Sequence, residues 1–278
     1  MQKAAVEEVI LRHSKRGMNI LKEYMPQEFC KEAAEEILKL DKGNILLTTG
    51  FYVAGFAETD GPLGTLYMAK ALEELGFHSV IVTDSYSKDF YEEEGVEVVY
   101  AGMDAGREYY RGLLEQYAPK ALISIERCGI NVEDDYANMR GVSIKADTAK
   151  IDLMFEEAKE QKIPTFGVGD GGNEIGMGNL KNVITDKLAL VPCRVCVDHR
   201  VIATVSNRGA YGMIAYLEMM TGKKLLPPIE EVEAFLGRVV AKGSIDGVNK
   251  VHECTVDGFS AEVEKEIVDG LHAVIAGK

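Results

Sequence analysis

Polar side chains, most of them acidic, follow four short apolar runs of this 278-residue sequence, at the point where each run ends. If the runs are parallel strands, their carboxyl ends meet at one edge of the sheet, which is where open α/β sheets bind ligands. The side chains that would gather at this edge are Glu58, Asp60, Glu126, Asp170, Asn173, Glu174 and Asn207.

Carboxylates gathered in this way repel one another, by about 4 kcal/mol for a pair ~4 Å apart at an effective dielectric constant near 20. The repulsion is relieved if one group is protonated or if a cation binds. The ligands are oxygens, with no His or Cys among them, and this set favours Mg²⁺, Mn²⁺ or Ca²⁺ over zinc. The pattern therefore predicts a divalent-metal site. The alternative is that each acid caps a helix or faces water.

Positive charge is expected close to the same edge. Arg127, Arg140 and Arg208 lie in or near these loops, and arginines in the pocket of an acidic protein are natural clamps for a carboxylate or a phosphate. Surface salt bridges are the alternative for each of them. A helix predicted to begin at Pro62, with Gly61 or Asp60 as its cap, would also point its N-terminus at the pocket and favour an anion.

Three other features are weaker indications of chemistry. The stretch 169–178 has five glycines in ten residues, yet it lacks the spacing of the known nucleotide-binding motifs, so a tight turn is favoured over a phosphate cradle. Cys193 and Cys196 form a lone CxxC without a second pair of ligands, which favours a structural role over a metal or redox role. His252 lies in the polar segment 242–258, a long loop of the kind that is often functional.

The elements that position these residues alternate along the chain. The apolar runs are 44–48, 79–83, 96–100, 121–125, 165–168 and 201–205. The helices between them are expected to start near Pro62, Tyr86, Asp104, Asp147 and Gly209, with Asp147 as an N-cap. This alternation predicts an α/β fold with a mainly parallel, doubly wound, Rossmann-like sheet.

Helices are also predicted at both ends of the chain. Residues 1–40 form an N-terminal helical extension, in which apolar residues recur at three- and four-residue spacing, and residues 229–241 and 259–276 are helical again. Hydrophobic residues make up 46% of the chain, enough for one large core, so residues 1–278 are assigned to a single domain.

The charge of the chain restricts its partners. A net charge of -14 argues against nucleic acid or an anionic membrane as the main partner, because phosphate groups need a basic surface. No apolar run approaches the ~20 residues that a bilayer requires. Glu7 and Glu8 stand where a signal peptide would be apolar, so a cytoplasmic protein with free thiols is expected. Self-association into a homo-oligomer is left open.

Several longer motifs resemble a known family. They are TTGFYVAGFAETDGPLG, ISIERCG, DDYANMRG, GVGDGGNEIGMGN, TVSNRGAYG and TVDGFSAEV. These stretches are similar to the family that forms the C-terminal domain of D-glutamate cyclase and that includes stand-alone prokaryotic proteins. The resemblance runs from about residue 15 to the end of the chain. One departure is Arg208, which stands where an aromatic residue is common in the family.

The resemblance implies a lyase that cyclises D-glutamate to 5-oxo-D-proline with loss of water. It implies a divalent cation, Mn²⁺ or Mg²⁺, which would act as a Lewis acid on the γ-carboxylate and be held by Glu58, Asp60, Glu126 and Asp170. Glu174 would accept the proton of the amine, and Arg127 or Arg140 would clamp the α-carboxylate. Asp257 or His252 would reach the site from the late loop. The remaining substrate contacts would come from Thr59, Gly61, Asn173, Ser206 and Asn207.

Two other functions fit the same residues. A metal-dependent phosphohydrolase would use the oxygen cluster and the arginines on a phosphoryl group. A non-catalytic metal-binding or amino-acid-binding protein would bind its ligand without turnover. Each of the three functions takes a small anionic or amino-acid ligand, and in each a divalent ion is the expected cofactor.

Overall fold

Six parallel strands form the central sheet of the computed structural model, which describes residues 5–277. The described strands are β1 (Asn44–Thr48), β2 (Tyr52–Val53), β3 (Phe56–Ala57), β4 (His78–Thr83), β5 (Glu97–Tyr100), β6 (Ala121–Ile125), β7 (Thr165–Gly169) and β8 (His199–Ile202). The sheet has the order β5-β4-β1-β6-β7-β8, and β2 pairs with β3 in a small antiparallel ribbon. The predicted α/β, Rossmann-like class is therefore confirmed.

The direction of winding reverses beside the first strand. The chain starts at β1, proceeds outward through β4 and β5, returns to the other side of β1 at β6 and continues to β8. In register, Ile45 lies between Ser79 of β4 and Ala121 of β6. The switch point lies between β1 and β6, and ligands of open α/β sheets bind at the carboxyl ends of the strands at this point.

Helices cover the sheet in two groups. The helices are α1 (Val6–Ile10), α2 (Met18–Leu21), α3 (Phe29–Lys39), α4 (Pro62–Glu74), α5 (Arg107–Tyr117), α6 (Asp152–Glu160), α7 (Lys181–Val183), α8 (Ser206–Thr221), α9 (Ile229–Ala241) and α10 (Ala261–Ile275). Helices α3 and α4 pack against α8, with α1, α9 and α10 beyond them, whereas α5 packs against α6. Crossovers that reverse direction place such groups on opposite faces of a sheet.

The N-terminal helices pack on the same hydrophobic core as the sheet. In α3 the residues at helical spacing, Phe29, Ala33 and Ile37, are buried, which explains why this segment is a helix with one apolar face. Val9 and Ile10 of α1 are fully buried against α8 and α10. The segment before β1 therefore shares its buried apolar residues with the core beneath the strand-end loops.

Two predicted helices are wrong in position. Near Tyr86 the structure has only a 3₁₀ turn, Ser85–Ser87, because the Asp84 side chain accepts the Tyr86 N–H and Asp89 has a left-handed φ of 66°. The helix expected behind Asp147 begins only at Asp152, and the Asp147 carboxylate accepts the Tyr86 hydroxyl at 2.7 Å.

The remaining differences are small shifts at element ends. The helix expected near Asp104 begins at Arg107, and the helix expected near Gly209 begins at Ser206. The last strand covers His199–Ile202 and not 201–205, because α8 begins at Ser206, four residues after Ile202. Among the described helices none is long and apolar enough to cross a bilayer.

Candidate functional site

Three buried carboxylates meet at the switch point of the sheet. Asp60 follows β1, Glu126 follows β6 and Asp170 follows β7, and one oxygen from each lies within 4.8 Å of the others. Their exposed fractions are 1%, 4% and 0%. Burial is the largest cause that raises the pKa of all three groups, and repulsion from neighbouring carboxylates adds to it.

The carboxylate of Asp60 is held by the first turn of α8. Its Oδ2 accepts the Ser206 N–H and its Oδ1 accepts the Asn207 N–H, both at 2.8 Å. Backbone N–H groups at a helix N-terminus favour a negative charge. These bonds lower the pKa of Asp60, but burial and Asp257 outweigh them and the pKa rises to about 7.

The side chain of Asn207 joins this turn to the start of α4. Its Oδ1 accepts the N–H groups of Gly61 at 2.9 Å and Gly64 at 2.7 Å, and its Nδ2 donates to the Thr59 carbonyl at 3.1 Å. A Cβ on Gly64 would lie 2.9 Å from the Asn207 Cα, so the two helices approach closely only because residue 64 is glycine. Asn207 thus satisfies the helix N-terminus that we expected to bind an anionic ligand.

Glu126 occupies a costly backbone conformation. Its φ of 48° is in the left-handed region, where a residue with a side chain costs about 1–3 kcal/mol. Its Oε2 accepts the Ser206 hydroxyl at 2.5 Å. Strained residues of this kind collect at functional sites, where the surrounding structure enforces them.

Asp170 is contacted by Arg16, which was not among the predicted site residues. The Nη1 of Arg16 donates to Asp170 Oδ1 at 2.9 Å, and the Nη2 of Arg16 forms an ion pair with Asp257. Asp170 Oδ2 is buried and has no hydrogen-bond partner among residues 5–277. An orphaned buried carboxylate oxygen is costly, and a cation would satisfy it.

Asp60, Glu126 and Asp170 are called the triad below. Three more carboxyl groups surround it: Glu174, Glu58 and Asp257. Glu174 accepts the N–H groups of Gly171 at 2.8 Å and Gly172 at 2.7 Å, so its side chain folds back onto its own glycine-rich turn. Glu58 is 7% exposed, and burial followed by Asp257 raises its pKa well above the ordinary range. Glu58 is not part of the three-carboxylate group, although we expected it to ligate the metal.

The late loop supplies Asp257, which pairs with Arg16. Asp246 organises this loop, since its carboxylate accepts the Thr255 hydroxyl and the Gly258 N–H, both at 2.7 Å. The loop is anchored next to the site by the Thr59 hydroxyl, which donates to the Thr255 carbonyl at 2.8 Å. His252 points elsewhere: its Nδ1 lies 3.1 Å from the Ser244 carbonyl.

Two of the three arginines expected in the pocket are engaged inside the fold. Arg127 is fully buried, with Nη1 2.6 Å from Asp84 Oδ2 and Nη2 2.7 Å from the Ala149 carbonyl. Arg208 is fully buried, forms an ion pair with Glu264 and stacks on the Phe259 ring, 4.5 Å from its centroid. The structure places neither guanidinium among the three carboxylates.

Arg140 lines a separate small cavity of about 230 Å³ beside the glycine-rich turn. Asn173 also lines this cavity; its Nδ2 donates to the Ala137 carbonyl at 2.9 Å, and its buried Oδ1 has no partner among the described residues. Of the CxxC pair, Cys193 is buried and Cys196 is exposed, and neither belongs to a three-ligand group among the described residues.

The donor set fits a hard divalent cation. The three converging side chains offer only carboxylate oxygens, which suit Mg²⁺, Mn²⁺ or Ca²⁺. Burial raises the pKa of Asp170 despite its ion pair with Arg16, and a cation beside the unpartnered Oδ2 would stabilise the charged carboxylate. Asp60, Glu126 and Asp170 are thus the residues that could hold such an ion.

A doubly wound parallel sheet with buried carboxylates at its switch point defines an α/β protein with a candidate cation site. The family described as D-glutamate cyclase-like, C-terminal, matches residues 6–272, so the chain belongs to this family and the resemblance is confirmed.

Among known relatives, the chain is 29% identical over 281 residues to the mitochondrial D-glutamate cyclase of Homo sapiens. The match covers 81% of this chain and 45% of the relative, so the chain spans about half the length of that protein.

Solved structures add little. UDP-glucose 4-epimerase of Thermus thermophilus has a TM-score of 0.31 at 13% identity, covering 46% of this chain and 38% of that one. The Bordetella bronchiseptica enzyme WbmH has a TM-score of 0.32 at 13% identity, covering 73% and 64%. At such low scores the likeness carries no argument about ligands.

Proposed function

We propose that this chain is a divalent-metal-dependent lyase that cyclises D-glutamate to 5-oxo-D-proline and releases water. The observation that carries the proposal is the convergence of Asp60, Glu126 and Asp170, with one buried Asp170 oxygen left unpartnered, in a member of the D-glutamate cyclase-like family. The name of the human relative supports the choice of substrate.

The three carboxylates would hold Mn²⁺ or Mg²⁺. An ion bound there would supply positive charge that polarises the γ-carboxylate of the substrate and stabilises the charge that develops on its oxygen. The protein fixes the ligands in advance: the first turn of α8 orients Asp60, and the Ser206 hydroxyl orients Glu126. Preorganised ligands need no rearrangement when the substrate binds.

The reaction forms one bond and breaks another. The nitrogen of the uncharged α-amine attacks the γ-carbon, the C–N bond forms, and a γ-carboxyl oxygen departs as water. The nitrogen gives up two protons, one when the ammonium becomes the uncharged amine and one when the amine becomes an amide, and the departing oxygen takes up two protons to leave as water. No oxidant or reductant is required.

Carboxyl groups outside the triad can transfer these protons. Three carboxyl groups on three different loops line the same site, those of Glu58, Glu174 and Asp257. A carboxyl group that reaches both the amine and the departing oxygen can accept the proton from one and return it to the other. Glu174 is the candidate on the glycine-rich turn, and Asp257 is the candidate on the late loop.

The test is to incubate the protein with D-glutamate and Mn²⁺ or Mg²⁺ and to measure 5-oxoproline by mass spectrometry. We expect product from the D isomer, no product in the presence of a chelator, and loss of activity in Asp170→Asn. The matched control is Asp41→Asn, since Asp41 is an exposed aspartate that precedes β1, at the opposite end of this strand from the site loops. Product formation that survives complete metal removal would contradict the proposal.

The alternative of a phosphohydrolase has less support from the geometry. Two of the arginines that would bind a phosphoryl group, Arg127 and Arg208, are already engaged by Asp84 and Glu264. Turnover of a generic phosphate ester with Mn²⁺, without turnover of D-glutamate, would favour this alternative. Tight binding of D-glutamate without any product would favour a binding protein.

A further inference from the structure

The site carries far more negative than positive charge. Six carboxyl groups belong to it: Glu58, Asp60, Glu126, Asp170, Glu174 and Asp257. D-Glutamate brings two more carboxylates. A single divalent ion on the triad leaves the second carboxylate of the substrate facing like charges, so a further cation is needed to bind it.

Arg16 is the basic side chain that reaches this cluster. Among the described residues, no other Lys or Arg forms an ion pair with any of the six carboxyl groups. Its side chain is 24% exposed, whereas Asp170 is fully buried and the Asp257 side chain is 3% exposed. Part of the Arg16 side chain is therefore accessible from solvent, whereas the two carboxylates that it contacts are buried.

The guanidinium is oriented by its two terminal nitrogens, and in the part of the chain that the structure describes its other N–H groups have no hydrogen-bond partner. A guanidinium has five N–H donors, and Arg16 uses two of its terminal nitrogens on Asp170 and Asp257. The two aspartates hold the planar group from different loops, and the remaining N–H groups can pair with a carboxylate. Arginine binds carboxylates in this two-bond manner more strongly than lysine does.

The segment that carries Arg16 is fixed in place. Gly17 has a φ of 84°, and a Cβ at this position would collide with the Leu188 side chain. The Ile10 carbonyl accepts the Thr204 N–H at 3.1 Å, which ties the segment to the loop before α8. Arg12, by contrast, forms a solvent-exposed ion pair with Glu266.

We propose that Arg16 is the residue that binds the α-carboxylate of D-glutamate, while the triad and its metal ion engage the γ-carboxylate. This assignment rests on the proposed function. It gives the N-terminal segment a direct part in substrate specificity, and it replaces Arg127 and Arg140 in the role that the sequence suggested for them.

The test uses a substrate and an analogue that differ only in the α-carboxylate. 4-Aminobutyrate is D-glutamate without this group. With saturating Mn²⁺, we expect Arg16→Ala to raise KM for D-glutamate by about 10- to 100-fold, the range for a lost charge-assisted pair. The inhibition constant of 4-aminobutyrate should change less than about threefold on the same scale. The KM of Arg16→Lys for D-glutamate should lie between those of wild type and Arg16→Ala, because lysine keeps the positive charge but lacks the planar pair of N–H donors.

The controls separate this role from a structural one. Arg12→Ala, on the same segment, should leave both constants unchanged. Arg16→Ala should bind Mn²⁺ at least as tightly as wild type does, because the substitution removes a positive charge that repels the ion. An equal loss for both ligands, or an unchanged KM for D-glutamate, would overturn the assignment while the lyase activity of the wild type stands. A wild type without any 5-oxoproline formation would overturn the proposed function and this assignment with it.

Discussion

Buried charges occur in two kinds of surroundings in this molecule. In one, Arg127 pairs with Asp84 and Arg208 pairs with Glu264, and each positive charge has its own buried partner. In the other, at the switch point, six carboxyl groups share one partly exposed Arg16. The first kind is balanced within the folded chain, whereas the second is not.

This difference separates structure from chemistry. A buried ion pair with both partners present asks nothing of a ligand, although its loss is costly. A buried cluster of like charges is stable only if protons or cations are added, and such sites are where ligands and metals bind. In the sequence the two kinds look alike, since Glu126 and Arg127 are neighbours that follow the same strand.

Breaking a balanced pair should have the largest effect on stability. Arg127→Ala leaves Asp84 buried without its partner, and we expect the free energy of unfolding to fall by about 3–5 kcal/mol. Urea denaturation followed by circular dichroism measures it. Arg140→Ala, at an exposed arginine, should change the value by less than about 0.5 kcal/mol. An Arg127→Ala protein as stable as wild type would remove the distinction between the two regions.

Removing one charge from the unbalanced cluster should act in the opposite direction. Without metal, Asp170→Asn should be at least as stable as wild type, because burial and the acidic neighbours raise the pKa of Asp170 well above the ordinary range and outweigh Arg16, which lowers it. Mn²⁺ at about 100 times its Kd should stabilise the wild type by about 2.7 kcal/mol and the variant hardly at all. Thermal unfolding with and without the ion gives both values, and equal stabilisation of the two proteins would contradict the ligand assignment.

Glu7, a buried carboxyl group outside both regions, gives a third case for the comparison. Glu7 of α1 is buried with neutral donors only, the Cys30 N–H at 3.1 Å and the Tyr216 hydroxyl at 3.2 Å. Burial raises its pKa above the ordinary 4.5. The folded state therefore binds the extra proton, and stability falls as the pH rises from about 4.5 through the folded pKa.

Glu7→Gln should remove this pH dependence with the smallest effect of the three. We expect a higher free energy of unfolding than wild type at pH 7 and equal values below pH 4, where the unfolded carboxyl group is also protonated. Metal stabilisation should be unchanged, since Glu7 is not part of the triad. A variant that is less stable than wild type at pH 7 would show that the ionised form is favoured in the fold.

The fold and the acidic residues of the site could be predicted from the sequence. Apolar runs of strand length recur between helical stretches, and the rule that polar residues follow strands brings Asp60, Glu126 and Asp170 to one edge. Turn-like segments were less predictable. The stretch after β4 has helical spacing but forms a 3₁₀ turn, because one aspartate satisfies the backbone locally.

The partners of the arginines could not be read from the sequence. Arg127 and Asp84 are 43 positions apart, and Arg16 and Asp170 are 154 apart. Which arginine faces which carboxylate depends on how distant segments pack, and no local pattern records it. The one local sign for Arg16 was the Gly17 beside it, a residue that permits the left-handed turn on which the segment depends.

The left-handed backbone of Glu126 has a consequence for engineering. Glycine adopts this conformation without strain and would also remove a buried, repelled carboxyl group. A library screened for heat resistance alone would therefore drift toward glycine at this position and discard one of the three converging oxygens. Selection for stability favours glycine at position 126, whereas selection for catalysis favours glutamate. A stabilised variant of this protein should therefore retain Glu126.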